Sequence, residues 1–174
     1  MTETTTNTTS TDNLGEQHYG HSSSGREFSP EESRPLLLTN DSKEAPVLSV
    51  VLPTLNEEEG IIECLEKAYE SFERLNITGE ILVSDSSTDR TPELAAQFGA
   101  RVISPDRAGY GYAYRYAFQR ARGEFIAMGD ADTTYDFTEL PKLFARVSAG
   151  DADIALGSRF NGEIRDGAMP ALHK

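Results

Sequence analysis

Positive charge is scarce in this sequence. Over 174 residues, 16 basic side chains stand against 29 acidic ones, giving a formal charge of −13 and a pI near 4.6. That excludes a nucleic-acid binder working through a basic, phosphate-neutralising face. Long apolar runs are missing too. The longest predominantly apolar stretch, Val47 to Leu52, falls far short of the ~20 residues that cross a bilayer. No transmembrane helix is expected. The opening Met1-Thr2-Glu3 also lacks the basic and then apolar order of a signal peptide. A cytoplasmic setting is the simplest expectation, with the cytoplasmic membrane face as the variant of it. The single cysteine, Cys64, leaves no internal disulfide framework and no multi-cysteine zinc site; it reads as a small core or boundary residue.

Lysine is the scarcest charge of all: four of the sixteen basic residues are Lys and twelve are Arg. A net charge this far from zero keeps a chain soluble but makes it repel itself, and concentrated salt screens that repulsion. The composition therefore points to a salt-rich cytoplasm.

What is present divides the chain in two. Residues 1–45 hold seven Thr in the first eleven positions and a Ser22 to Ser24 run, with few apolar residues before Leu36-Leu37-Leu38. Such a segment buries too little to offset its ordering entropy and is expected as a disordered acidic tail, with the leucines either docked on the domain or a partner or, as the simpler reading, a short apolar patch in a linker. The tail carries −5, so −8 remains on residues 46–174, the expected folded domain.

From Pro46 on, short apolar runs alternate with helical periods. Val47 to Leu52 reads as a buried strand, followed by a helix with Ile61, Ile62, Leu65, Ala68, Phe72 and Leu75 on its stripe. Ile81 to Val83, Arg101 to Ser104, Phe125 to Met128 and Asp153 to Gly157 read as four further strands. Helices are expected from Pro92 to Phe98, from Gly109 to Arg122 and from Glu139 to Ala149, each closed by a glycine or running into one. This order predicts a doubly wound, mostly parallel α/β sheet, and about 130 residues suffice for its core. Tyr110, Tyr112, Tyr114 and Tyr116 alternate as in a strand, but Ala113, Ala117 and Ala121 recur every fourth residue. The helix is preferred, with the tyrosines divided between core and surface.

Ligands of such sheets sit beyond the carboxyl ends of the strands. The turn after the first strand, Pro53-Thr54-Leu55-Asn56-Glu57-Glu58-Glu59-Gly60, lacks the G-x-G-x-x-G that would hold a dinucleotide and has three glutamates instead. A cation is then needed wherever phosphate binds. Asp130-Ala131-Asp132 offers two carboxylates suited to a hard divalent ion, Mg²⁺ or Mn²⁺; taken alone it is equally a solvated turn, with Asp136 capping the next helix. An EF-hand is excluded, since Tyr135 and Pro141 stand where Gly and Glu are required. Asp85, ending the second strand, fits either a base or ribose contact or a turn. Arg159 fits either a bidentate diphosphate contact or a surface ion pair.

Four ordered segments carry a resemblance. They are Val50 to Glu57, Ile81 to Thr91, Gly129-Asp130-Ala131-Asp132 and Gly157-Ser158-Arg159-Phe160. Together they resemble the family 2 glycosyltransferases of GT-A fold, nearest the branch of dolichol-phosphate mannose and glucose synthases, and the acidic, Lys-poor composition suits a haloarchaeal member. The resemblance spans Leu48 to Lys174. It implies that Asp85 binds the base, that Pro53 and Glu57 line the nucleotide pocket with Glu57 reaching the ribose, and that Arg159 contacts phosphate. It further implies that Asp130 and Asp132 hold Mg²⁺ or Mn²⁺ against the donor diphosphate, with Thr134 in a position where relatives add a third ligand. The implied reaction is inverting transfer of a hexose from a nucleotide diphosphate sugar, UDP-glucose or GDP-mannose, to a polyprenyl or dolichyl phosphate at the membrane surface. The resemblance also implies more chain after Lys174, so this is expected to be the donor-binding half. Two rivals stand beside it: a nucleotide-sugar-binding module without activity of its own, and a haloacid dehalogenase-type phosphohydrolase reading Asp130 to Thr134 as D-x-D-x-T.

Overall fold

The structure is a computed structural model that describes Ser29 and residues 32–158. Four strands, β1 (Leu48–Thr54), β2 (Gly79–Asp85), β3 (Arg101–Ile103) and β4 (Phe125–Met128), form one sheet in the order β3-β2-β1-β4. Every pairing is parallel, with Val50 opposite Ile81 and Ala127. β1 and β2 are the central strands and their residues are buried on both sides, Pro53 alone being partly open. That is why they appear in the sequence as continuous apolar runs.

Helices cover both faces. α1 (Ile61–Leu75) and α2 (Thr91–Phe98) pack on one, together with a 3-10 turn (Phe137–Glu139) and α4 (Leu140–Ser148). The stripe of Ile61, Leu65, Ala68 and Phe72 meets Val50, Leu52, Ile81 and Val83 in the main core. α3 (Tyr110–Phe118) covers the other face, where Tyr114 and Ala117 pack on Val51 and Leu82. The doubly wound, mostly parallel α/β architecture expected from the sequence is the one formed.

Three local expectations need correction. Asp153 to Gly157 is not a strand: its backbone is irregular, and Ile154 and Leu156 are 75% and 84% exposed. An apolar run becomes a strand only when a neighbour supplies the ladder, and none pairs with it among the described residues. The tyrosine helix is shorter than Gly109 to Arg122, because the backbone N–H of Arg122 turns aside to donate to Glu80 Oε1 at 2.7 Å. Leu36 to Leu38, expected in a linker, sit on the domain. Leu37 and Leu38 are buried, Leu37 pairs with Gly79 as a parallel bridge, and Gly79 donates its amide to Leu36 O at 2.9 Å while its carbonyl accepts from the Leu38 amide at 2.7 Å. Pairing with the start of β2, beyond the part of that strand that β3 covers, holds the leucines where their composition alone does not.

At the amino-terminal end of the sheet, Glu80 on β2 has no exposed surface. Its Oε1 accepts from the Ser49 hydroxyl and the Arg122 amide, and its Oε2 from the Arg101 and Arg122 guanidinium groups, all within 2.5 to 2.8 Å. Burial alone pushes this carboxyl up, but the Arg122 amide, the Ser49 hydroxyl and the two guanidinium groups outweigh it and hold Glu80 below the ordinary range. Arg122 also donates to Thr39 O and Arg101 to Asn40 Oδ1, which fastens the segment before β1 to the sheet.

Candidate functional site

The chain runs outward from β1 to β2 and β3, then returns to add β4 on the other side of β1. The order therefore reverses between β1 and β4, the crevice where open α/β sheets take ligands. A cleft of about 290 Å³ opens there, lined by Pro53 near the end of β1 and Glu57 after it, Tyr110 and Ala113 of α3, and Asp130 and Asp132 after β4. A second hollow of about 370 Å³ adjoins it, shares Ser86 and is lined by Asp85, Ser104, Asp106 and Arg107.

The loop after β1 is pinned to the loop after β2. Asn56, in the left-handed region at φ 61°, donates its amide to Ser87 Oγ at 2.8 Å and accepts from the Thr88 amide at 2.9 Å. The Glu57 amide reaches Thr91 Oγ1 at 2.9 Å, and Glu58 and Asp89 receive amides from each other's loops. With its backbone held this way, the Glu57 carboxylate faces the cleft. Burial, then Asp132, Asp89 and Asp130, push its pKa up. The cleft is thus a place of accumulated negative charge.

Asp130 follows Gly129, whose position is fixed by packing: a Cβ there would lie 2.7 Å from the Phe137 ring. Asp130 Oδ1 accepts from the Tyr110 hydroxyl at 2.6 Å and from the Tyr114 hydroxyl at 3.3 Å. Asp132 Oδ1 accepts from the Thr134 amide at 3.0 Å, across Thr133 at φ 61°. A β-branched residue in the left-handed region is strained, and such strain gathers at functional sites. Each aspartate therefore commits one oxygen inside the protein and leaves Oδ2 without a hydrogen bond among the described residues. Two uncommitted hard oxygens in a negatively charged cleft fit a divalent cation that takes its other ligands from substrate phosphate and water. Among the described residues no group of three His, Cys, Asp or Glu side chains converges as a closed metal centre.

The remaining residues named from sequence fall as follows. Asp85 is buried, accepts from the Thr54 hydroxyl at 2.7 Å and the Ser87 amide at 3.2 Å, and floors the second hollow, so it shapes the turn and borders a cavity at once. Thr134 is exposed and stands beside Asp132, outside the cleft lining. Arg159 lies outside the described residues. Cys64 is buried in the main core, and burial raises its thiol to about 11, leaving it neutral and unreactive. Sequence reasoning missed Tyr110 and Tyr114 as partners of Asp130; their spacing of four, which stacks side chains on one helix face, was the available signal.

Residues 49–173 match the family described as glycosyl transferase family 2. The chain belongs to glycosyl transferase family 2. It is 63% identical over 139 residues to the low-salt glycan biosynthesis hexosyltransferase Agl6 of Haloferax volcanii, a match covering 80% of this chain and 34% of that protein. A dolichyl-phosphate hexose transferase of the same organism is 35% identical over 130 residues, 73% of this chain and 53% of its own. The chain thus spans about a third to a half of these relatives' length. Among solved structures, mannosyl-3-phosphoglycerate synthase from Rubrobacter xylanophilus superposes with a TM-score of 0.53 at 29% identity, covering 59% of this chain and 36% of that one. Glucosyl-3-phosphoglycerate synthase from Mycobacterium tuberculosis, in complex with Mn²⁺, UDP-glucose and phosphoglyceric acid, gives 0.50 at 31% identity over 61% of this chain and 40% of that one. Family 2 membership removes the haloacid dehalogenase alternative. That phosphohydrolase carries its aspartates after the first strand, whereas here Asp130 and Asp132 follow β4. No helix among the described residues is long and apolar enough to cross a membrane.

Proposed function

We propose that this chain forms the donor-binding part of an inverting hexosyltransferase that moves a hexose from a nucleotide diphosphate sugar to a polyprenyl phosphate. The reading rests on one observation above all: Pro53, Glu57, Asp130 and Asp132 surround a single cleft at the strand-order reversal, next to the hollow floored by Asp85. The base and ribose occupy the Asp85 side, with Glu57 toward the ribose. Asp130 and Asp132 hold Mg²⁺ or Mn²⁺ through their Oδ2 atoms, with Thr134 as an adjunct by hydroxyl or water, and Arg159 contacts the phosphates. When bound, the cation stabilises the charge that grows on the departing diphosphate. The polyprenyl acceptor is supported by the dolichyl-phosphate hexose transferase among the relatives. A phosphate acceptor is already ionised near neutral pH, so the site's task is positioning and charge neutralisation, with no general base required.

Titration with UDP-glucose and GDP-mannose, with and without Mn²⁺, tests this. One of the two is expected to bind at least tenfold more tightly with Mn²⁺, and Asp130→Ala or Asp132→Ala is expected to remove that gain. Metal-dependent affinity unchanged in both variants, or no binding of either nucleotide sugar, defeats the proposal.

A further inference from the structure

The tyrosine run on α3 has an arrangement that the donor-site residues leave unexplained. Alternate tyrosines on a helix divide between two faces, and only Tyr110 and Tyr114, one turn apart, point toward the cleft end of β4. Their rings meet edge to face with centroids 5.2 Å apart, and Tyr114 continues the row to Phe118 at 5.7 Å. Tyr112 instead donates to Asp106, and Tyr116 lies under the Arg120 guanidinium. Both cleft-side hydroxyls end on the same atom, Asp130 Oδ1. Tyr114 is buried while Tyr110 is 62% exposed at the rim of the cleft, so one hydroxyl is fixed by the core and the other by its partner ring and the carboxylate.

Two donors on one oxygen do more than anchor a loop. They fix the plane of the carboxyl group, and with Oδ1 filled they leave Oδ2 as the atom that faces the cleft. A carboxylate without such partners rotates about its Cβ–Cγ bond and exchanges its oxygens, and a cation must then order it on binding. Residues that hydrogen-bond a metal-ligating side chain typically change metal affinity by 10–100-fold when altered. We infer that Tyr110 and Tyr114 are positioning residues that hold Asp130 by Oδ1 and present Oδ2 as a one-oxygen ligand to the donor-site cation. The inference rests on the proposed donor-binding role of Asp130. It assigns α3, on the opposite face of the sheet from α1 and α2, the task of setting the geometry of a residue carried by β4's loop.

The test is a count of free Mn²⁺ by electron paramagnetic resonance during titration of the whole chain, once with UDP present and once with GDP. Tyr110→Phe and Tyr114→Phe each remove a hydroxyl and keep the ring, so the apolar packing stays and circular dichroism is expected to match the parent. Each is expected to weaken Mn²⁺ binding in the nucleotide-bound chain by about tenfold, while nucleotide affinity measured without metal stays within twofold. Tyr116→Phe, on the other face of the helix, serves as the control and leaves both unchanged. If the parent binds Mn²⁺ and nucleotide but both phenylalanine variants match it, the positioning role is wrong and the donor-site reading stands. If a variant melts at lower temperature yet binds Mn²⁺ as the parent does, the hydroxyl is merely structural and the inference also fails. A parent that binds neither Mn²⁺ nor nucleotide overturns both readings together.

Discussion

Glu80 ties the first residues of three strands and the segment before β1 to a single carboxylate. Charged residues are rarely fully buried unless paired, and nothing in a lone Glu between Gly79 and Ile81 announces two arginines 21 and 42 residues away. The sign of its pH effect follows from its depressed pKa. In the folded chain Glu80 stays ionised to lower pH than in the unfolded one, so its contribution is complete above the unfolded value near 4.5 and is lost as pH falls through the folded value. Removing one partner of a buried pair costs about 3–5 kcal/mol; Arg101 and Arg122 keep side-chain exposures of 15% and 27%, which moderates it. Glu80→Gln is expected to lower stability by about 2–3 kcal/mol at pH 7, with the gap to the parent closing below pH 4.5. Urea midpoints from pH 7 to pH 3 measure this, and a gap that stays constant to pH 3 rejects it. The cleft residues are more legible in the sequence than Glu80. Pro53, Glu57, Asp85, Asp130 and Asp132 stand at or just beyond the carboxyl ends of strands, where topology assigns ligands, whereas Glu80 and the tyrosine hydroxyls depend on partners brought in by packing.

At the scale of elements, legibility tracked burial. β1, β2 and α1 were evident because both faces of the strands and one stripe of the helix lie in the core, so their periods are imposed by packing. Asp153 to Gly157 had the same local pattern and formed nothing, because a strand needs a ladder as well as apolar side chains. The docking of Leu37 and Leu38 beside Gly79 is likewise a long-range event, which local composition leaves open between a docked patch and a linker. β4 joins element and site most directly. Its last residue leads through Gly129 into Asp130, and the Phe137 ring packs where a Gly129 side chain would be. Phe137 opens the turn before α4 and is buried in the main core, so the ring has little room to withdraw. Gly129→Ala is therefore expected to destabilise the fold by about 1–3 kcal/mol, the usual range for overpacking, and to lower metal-dependent nucleotide affinity because the strain is relieved toward Asp130. Thermal melts paired with the Mn²⁺ titration measure both. A variant as stable as its parent shows that Phe137 yields freely and removes the argument.

For the whole molecule, the decisive quantity is the excess of carboxylates. The formal charge is −13, three further acids, Asp89, Asp130 and Asp132, act on Glu57 at the cleft, and two of the arginines, Arg101 and Arg122, are committed to the buried Glu80 carboxylate. Repulsion among surface charges opposes the compact state and is screened over a Debye length of ~10 Å at 0.1 M salt and ~3 Å at 1 M. Buried pairs are screened far less, so salt relieves the repulsion while leaving the Glu80 network in place. The balance favours folding as salt rises. If screening recovers even 1–2 kcal/mol, a domain of this size should melt about 5–10 °C higher in 2 M than in 0.1 M KCl. Most of that rise is expected below 0.5 M, where the screening length changes fastest. Its shape separates screening from a general salting-out effect, which grows steadily with concentration and is stronger in sulfate. Millimolar Mn²⁺ should add a further, saturable rise at low salt, because it neutralises the cleft specifically, and Asp132→Ala should abolish that increment while keeping the KCl response. Equal melting temperatures at 0.1 M and 2 M KCl would show that the acidic surface is neutral to stability and that the composition has no bearing on salt.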